Sequence, residues 1–180
     1  LNFKRYKSDV AKQAVPPHLN AAEFARHYAD KPQTDTEEYL SLSGEMCWDA
    51  VVLCAHRSGA LSKAKYKQLW QTVFDKQYKH FVSPDDTEIR TMADMLRAPQ
   101  GCFIGIFSLR DAAAPRLLHA MIGTGAGFAA GNKNLCIGVG GAVGWENLNL
   151  ARDLRWQPEG GFLRQGDNEV LRIFYRPFPA

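Results

Sequence analysis

The sequence predicts an α+β fold with a mainly antiparallel sheet. Helical patterning fills roughly the first hundred residues, and after Pro99-Gln-Gly101 short apolar runs separated by turn residues take over. Helices first and strands afterwards is the order of α+β architecture. With 180 residues, 46% of them hydrophobic and 23% charged, the chain has material for one sizeable core. The expected organisation is a basic arm or linker over residues 1–20 and a single domain over 21–180.

Taken in order, the arm carries Lys4, Arg5, Lys7 and Lys12 and ends at Val15-Pro16-Pro17-His18, which bars a helix from running through that point. Asn20 is an N-cap candidate with Glu23 three residues on, so a short helix to about Tyr28 is expected. A polar loop over 31–38 leads to Ser43, which can cap a helix from about Gly44 to His56. That helix is apolar almost all round (Met46, Trp48, Ala50, Val51, Val52, Leu53), the pattern of a central rather than a surface helix. Gly59 ends it. A second helix is expected from Ser62 to about Tyr78, with Tyr66, Leu69, Trp70, Val73 and Phe74 on one stripe. Ser83-Pro-Asp-Asp86 reads as the cap of a third, through Ile89, Met92, Met95 and Leu96. Strands are expected at 102–107, 116–123, 128–130, 135–139 and 169–175, with Trp145 to Leu150 and Trp156 covering one sheet face.

Composition narrows the function classes. A net charge of +3 and a pI near 8.7 are too mildly basic to argue for nucleic acid. No apolar run approaches the roughly 20 residues of a membrane span, so a soluble domain is expected. The basic start lacks the apolar stretch of a signal peptide. Four cysteines are too few for a disulfide-stapled scaffold. On a helix, Cys47 and Cys54 would lie about 10 Å apart along the axis, too far to bond. Cys102 and Cys136 fall in separate apolar runs, open either to pairing or to burial.

Cys47 falls in the first turn of the central helix, where unpaired backbone N–H groups and the helix dipole favour a thiolate. That is what a nucleophilic thiol needs, although free cysteine is also among the residues most often buried. Of the five histidines, His119 is the one inside a β run, and an imidazole there needs a hydrogen-bond partner or a catalytic task. His56 is more than two turns beyond Cys47 on the same helix and cannot reach it. A third residue would accept from the second ring nitrogen. The return turn Gly131-Asn132-Lys133-Asn134 brings two candidates beside His119, Asn134 first and Asn132 as the alternative, while Gly-Asn-Lys-Asn also suits a plain turn.

This order of residues resembles the papain-like cysteine hydrolases, in particular NlpC-type peptidases and the small cysteine proteases that bacteria deliver as effectors. Glu45-Met-Cys47-Trp-Asp-Ala is similar to the nucleophile helix of that superfamily. Pro99-Gln-Gly101-Cys-Phe-Ile-Gly-Ile-Phe followed by His119-Ala-Met-Ile-Gly-Thr-Gly resembles its strand pair. The resemblance spans roughly Ser43 to Val139. It implies a papain-like catalytic domain over 21–180, its nucleophile helix packed on the sheet, a Cys47–His119–Asn134 triad and no cofactor or metal. A peptide or protein substrate (a peptidoglycan peptide or a host protein) is implied too, as are secretion or delivery into a target cell and an immunity or carrier protein as partner. The same triad serves a Gln/Asn deamidase or a transglutaminase-like effector, and a non-catalytic binding domain is the rival from another class. No glutamine upstream of Cys47 matches the oxyanion donor of papain, which leaves the Cys47 backbone N–H, with Ser43 as a side-chain candidate.

Other signals fail on context. Gly125-Ala-Gly127-Phe-Ala-Ala130 fits a dinucleotide fingerprint literally, but a turn and a β run follow where a helix is needed. One helix cannot turn Cys47, Cys54 and His56 inward together as zinc ligands. No G-x-S-x-G elbow is present. The basic arm is expected to be a solvated tether rather than a nucleic-acid contact.

Overall fold

The computed structural model describes residues 15–30, 36–70 and 78–179. The first 14 residues of the expected arm lie outside them. Helix α1 (Pro17–Ala29) begins three residues before the expected Asn20 cap. Pro17 occupies the first turn, where its missing N–H costs nothing, so the Pro-Pro pair opens this helix instead of blocking it.

The single expected helix over 44–56 is two. Helix α2 (Glu37–Gly44) is capped by Thr36, whose hydroxyl accepts from the Tyr39 N–H at 3.3 Å. Helix α3 (Cys47–Arg57) follows, buried from Cys47 through Ala55, with Met46 at its N-cap and no side-chain cap. Ser43 therefore sits in the last turn of α2 and does not cap α3. Ser62 caps α4 (Lys63–Leu69) through Lys65 N. The expected continuation towards Tyr78 crosses residues 71–77, outside the described residues, and Tyr78 itself opens a short 3₁₀ turn.

Ser83 to Asp86 does not start a helix. Asp86 turns back to accept the Ser83 N–H at 2.7 Å, and the chain goes straight into β1 (Thr87–Ile89). The helix comes later, as α5 (Met92–Arg97), with Thr91 and Asp94 forming a reciprocal capping box.

The sheet is antiparallel throughout its pairings. Its strands are β2 (Cys102–Ser108), β3 (Arg116–Gly125), β4 (Phe128–Asn132), β5 (Trp145–Asn149), β6 (Arg155–Trp156), β7 (Phe162–Leu163) and β8 (Val170–Pro177). They run β5-β4-β3-β2-β8-β7-β6, with β1 pairing β8. Helix α6 (Leu150–Asp153) follows β5 directly. The Trp145 to Leu150 stretch is thus largely a strand in its own right. The expected strand over 135–139 is instead a 3₁₀ turn, Asn134–Ile137, bracketed by left-handed residues at Lys133 and Gly138. Left-handed backbone at both ends cannot continue a pleated strand.

Strand alternation separates two packed faces. Phe103, Phe107, Ala120, Ile122 and Trp145 face the layer holding α3. Ile104, Ile106, Met121, Leu171 and Ile173 face the other side, with Met95 of α5 and Leu150 of α6. Trp145 anchors the helical layer by donating its indole N–H to the Ala25 carbonyl at 2.8 Å. Arg26 adds a bond to the Thr124 carbonyl at 2.9 Å.

The close approach of α1 to the start of β2 gives a test. Gly101 has φ +68°, and a Cβ there would lie 1.9 Å from the His18 carbonyl oxygen. Gly101→Ala is expected to cost about 3 kcal/mol or more in urea unfolding. Gly44→Ala, where nothing lies within 4 Å of the added carbon, should leave stability unchanged or raise it by about 0.5–1 kcal/mol.

Candidate active site

The site is built at one corner of the sheet. A bulge in β3 makes Leu118 an extra residue between the pairs Phe107↔Leu117 and Ile106↔His119. Bulges re-aim the side chains beside them. Pairing with Ile106 then puts His119 on the sheet face away from α3. The ring has no exposed surface, so its polar atoms depend on the protein for partners.

Asn134 supplies one. Its Oδ1 lies 3.0 Å from His119 Nε2, and its amide Nδ2 donates to the Gly131 carbonyl at 3.0 Å and to Glu146 Oε1 at 3.2 Å. Two acceptors on the nitrogen side fix the amide, so Oδ1 must face the ring and Nε2 must carry the proton. The lone pair is left on Nδ1, which is buried and has no hydrogen-bond partner among the described residues. Glu146 was not among the candidates read from the sequence, yet it sets this orientation and also accepts the Gly141 N–H at 2.6 Å. No sequence signal singles it out, because its role exists only once β5 lies beside β4.

Cys47 opens α3 on the opposite face. The β3–β4 register ends at Ile122↔Ala130, and below that point the thiol meets the backbone at Ala120, the residue after His119. Cys47 therefore abuts the strand next to His119 without a hydrogen bond to the ring. Burial dominates its ionisation. With only 7% of its surface exposed, the thiol is pushed up to about 12, against the lowering pull of backbone hydrogen bonds at Ala120 and Trp48 and of the Lys133 charge. The thiolate expected at the helix start is thus not the resting form. His119 moves the complementary way, its pKa lowered by burial to about 4 while the Asn134 bond partly offsets the shift. At neutral pH the pair is an uncharged thiol and an uncharged imidazole.

The three residues of the corner act in different directions. Asn132, the alternative third member, turns to the α-helical side, where its Nδ2 donates to the Leu42 and Glu45 carbonyls at 2.8 and 2.7 Å. It clamps the segment leading into α3 rather than orienting His119. Lys133 Nζ donates to the same Glu45 carbonyl at 3.0 Å. Asn134 alone of the three reaches the imidazole. His56 is occupied elsewhere, its Nδ1 3.0 Å from the Leu61 carbonyl and its ring stacked on Tyr66.

All four cysteines are free, and Cys102 donates its thiol to the Pro99 carbonyl. Among the described residues no group of His, Cys, Asp and Glu could hold a metal ion, and no helix is long and apolar enough to cross a membrane. A cleft of about 590 Å³ opens by the β2–β3 turn between Tyr78, Asp85 and Arg116 and is lined by none of Cys47, His119 or Asn134.

The depressed pKa of His119 links to stability. The unfolded ring titrates near 6.5 and the folded one near 4, so acid protonates the unfolded chain first and stability falls as pH drops through that window. Between pH 7 and pH 5 the loss from this one group should be about 2 kcal/mol by urea unfolding. His119→Gln should flatten that part of the pH dependence, and an equal slope in both proteins would refute the assignment.

Comparison with protein-family models, with curated proteins and with solved structures gave no match to this chain.

Proposed function

We propose that this chain is a cysteine hydrolase acting on amide or peptide bonds, with Cys47 as nucleophile, His119 as base and Asn134 holding the ring. The observation that carries the reading is the Glu146–Asn134–His119 relay. It fixes one tautomer and leaves a buried, unengaged lone pair on Nδ1, while the Cys47 thiol meets the next residue of the same strand, Ala120, from the opposite face. The same Asn134 bond meets the need of any buried imidazole for an acceptor, and the further carboxylate that holds the amide is the feature shared with hydrolase triads.

The chemistry starts from the neutral pair. Cys47 and His119 lie on opposite faces of the sheet, so this reading requires the ring to come round to the thiol as substrate binds; the Cys47 proton then passes to Nδ1 while sulfur bonds to the carbonyl carbon and the carbonyl π electrons move onto oxygen. The backbone N–H of Cys47, at the start of α3, is the donor this reading assigns to the oxyanion. Collapse breaks the C–N bond, Nδ1–H protonates the leaving amine, and water deprotonated by Nδ1 hydrolyses the thioester. Hydrogen bonds of this kind often form only when substrate is bound, so an unengaged Nδ1 in the free protein fits the sequence of steps. The leaving amine decides the outcome: a chain end makes a peptidase, ammonia from Gln or Asn a deamidase, and acceptance of a second amine a transglutaminase. The substrate we propose is a peptide or protein, of bacterial wall or host, met by a secreted or delivered domain that an immunity or carrier protein would accompany. The burial of both Cys47 and His119 favours the second reading, a non-catalytic binding domain with two core residues.

Incubation with peptidoglycan fragments and with candidate host proteins, followed by intact-mass analysis, tests the proposal. Chain cleavage or a gain of about one dalton is expected, and Cys47→Ala or His119→Gln should lower the rate by at least about 10³-fold. Glu146→Gln, which replaces the carboxylate that orients Asn134, should lower it by about 10-fold or more. Because the base must be unprotonated, kcat/KM should rise on an acid limb near pH 4 and stay flat through neutrality. A native Cys47 that alkylates no faster than Cys54 would leave the binding-domain reading standing instead.

A further inference from the structure

We infer that Lys133 is the fixed positive charge of this site, held against the segment leading into α3 to stabilise the Cys47 thiolate and the oxyanion formed from its attack. The inference rests on the hydrolase reading and assigns the side-chain donor that the sequence leaves open in the absence of an upstream glutamine.

Three observations carry it. The ammonium is anchored at 3.0 Å on the Glu45 carbonyl, two residues before Cys47. The same carbonyl is gripped by Asn132, so the charge sits on a segment that the fully buried Asn132 already holds still. Among the described residues Lys133 makes no ion pair with a carboxylate, and an ammonium has three N–H donors, so two remain after the bond to Glu45. The second observation is the backbone. Lys133 is left-handed (φ +49°, ψ +41°), a conformation that glycine or asparagine takes more easily. Strain kept at a non-glycine residue points to a task for its side chain. The third is the order of the corner: the left-handed step sends Asn132 to the Glu45 carbonyl and Asn134 to His119, with Lys133 between the halves of the site. A cation there faces developing negative charge on either sulfur or oxygen.

The charged and titratable groups that act on Cys47 are Cys136 from the 3₁₀ turn and Lys133 from the corner, with Glu45 and Asp49 nearest in the chain, while His119 and Glu146 lie on the other side of β3. Among them Lys133 is the one permanent cation. The test is the pH profile of Cys47 alkylation, followed by peptide mass analysis, with neutral iodoacetamide and anionic iodoacetate as paired probes. Lys133→Gln keeps a donor for the Glu45 carbonyl but removes the charge. It should raise the apparent pKa of Cys47, slow iodoacetamide about tenfold at a fixed pH near 8 and lower the iodoacetate-to-iodoacetamide rate ratio several-fold. Lys133→Arg should restore both readouts to within about twofold of the parent. A purely structural lysine would move neither the profile nor the ratio. If Cys47 alkylates in the parent and Lys133→Gln leaves profile and ratio unchanged, this role is overturned while the hydrolase reading stands. If Cys47 of the parent is inert in the native state, the hydrolase reading fails and this role with it.

Discussion

A histidine with no exposed surface must have its ring N–H accepted by the protein, and the hydrogen bond from His119 Nε2 to Asn134 Oδ1 meets that demand. Much of the corner follows from it. For Oδ1 to face the ring, the amide nitrogen needs acceptors, and Gly131 and Glu146 provide them. For Asn134 to arrive there, the chain must leave β4 abruptly, which the left-handed Lys133 accomplishes. Gly140 then has to pass close to Asn134, and its φ of +70° with a would-be Cβ 2.9 Å from the Asn134 Cβ leaves room for glycine alone. One buried bond thus fixes the end of β4, the 3₁₀ turn and the loop back to β5.

The ionisation of Cys47 sets two effects against each other, and their sizes decide the outcome. A rise from 9.0 to about 12 corresponds to about 4 kcal/mol against the thiolate. A helix N-terminus contributes about 0.3–1 kcal/mol in its favour, up to roughly 2 in buried geometry. Burial wins. The ground state is a neutral thiol and a neutral imidazole, so the hydrolase reading proposed above would call for general-base transfer instead of a preformed thiolate–imidazolium pair.

What was legible in the sequence is what short-range pattern controls. The buried run from Cys47 to Ala55, the paired apolar stretches of β2 and β3, and a histidine among Leu117, Leu118 and Met121 are visible because periodicity and composition report burial directly. The helix of α3 and the strand around His119 followed from that, whereas Asn134 was preferred over Asn132 as the opening of a strand over 135–139 and reaches the ring from a 3₁₀ turn instead. Positive φ was less legible. Leu135-Cys-Ile-Gly-Val139 has the composition of a strand, and the left-handed backbone at Lys133, an unusual residue for it, turns the segment into a 3₁₀ helix. Capping was ambiguous for the same local reason: Ser43 and Ser83 are good caps in isolation, yet tertiary packing started the helices at Cys47 and Met92. Glu146 could not be singled out, because its role exists only once β5 lies beside β4.

The division of the site between two sheet faces has a mechanical consequence. Cys47 belongs to the helical layer and His119 to the opposite layer, and between them lie the backbone of β3 at residues 119–120 and the corner at 132–134. Asn132 ties that corner to the segment preceding α3, while Asn134 ties it to the imidazole. The short span from Asn132 to Asn134 is thus bonded at one end to the segment before α3 and at the other to the ring. The bulge at Leu118 acts in the same sense, setting the side-chain direction of His119 at the point where the thiol meets the strand. Register in β3 sets the face His119 takes, and the left-handed backbone at Lys133 sets the opposite directions of Asn132 and Asn134.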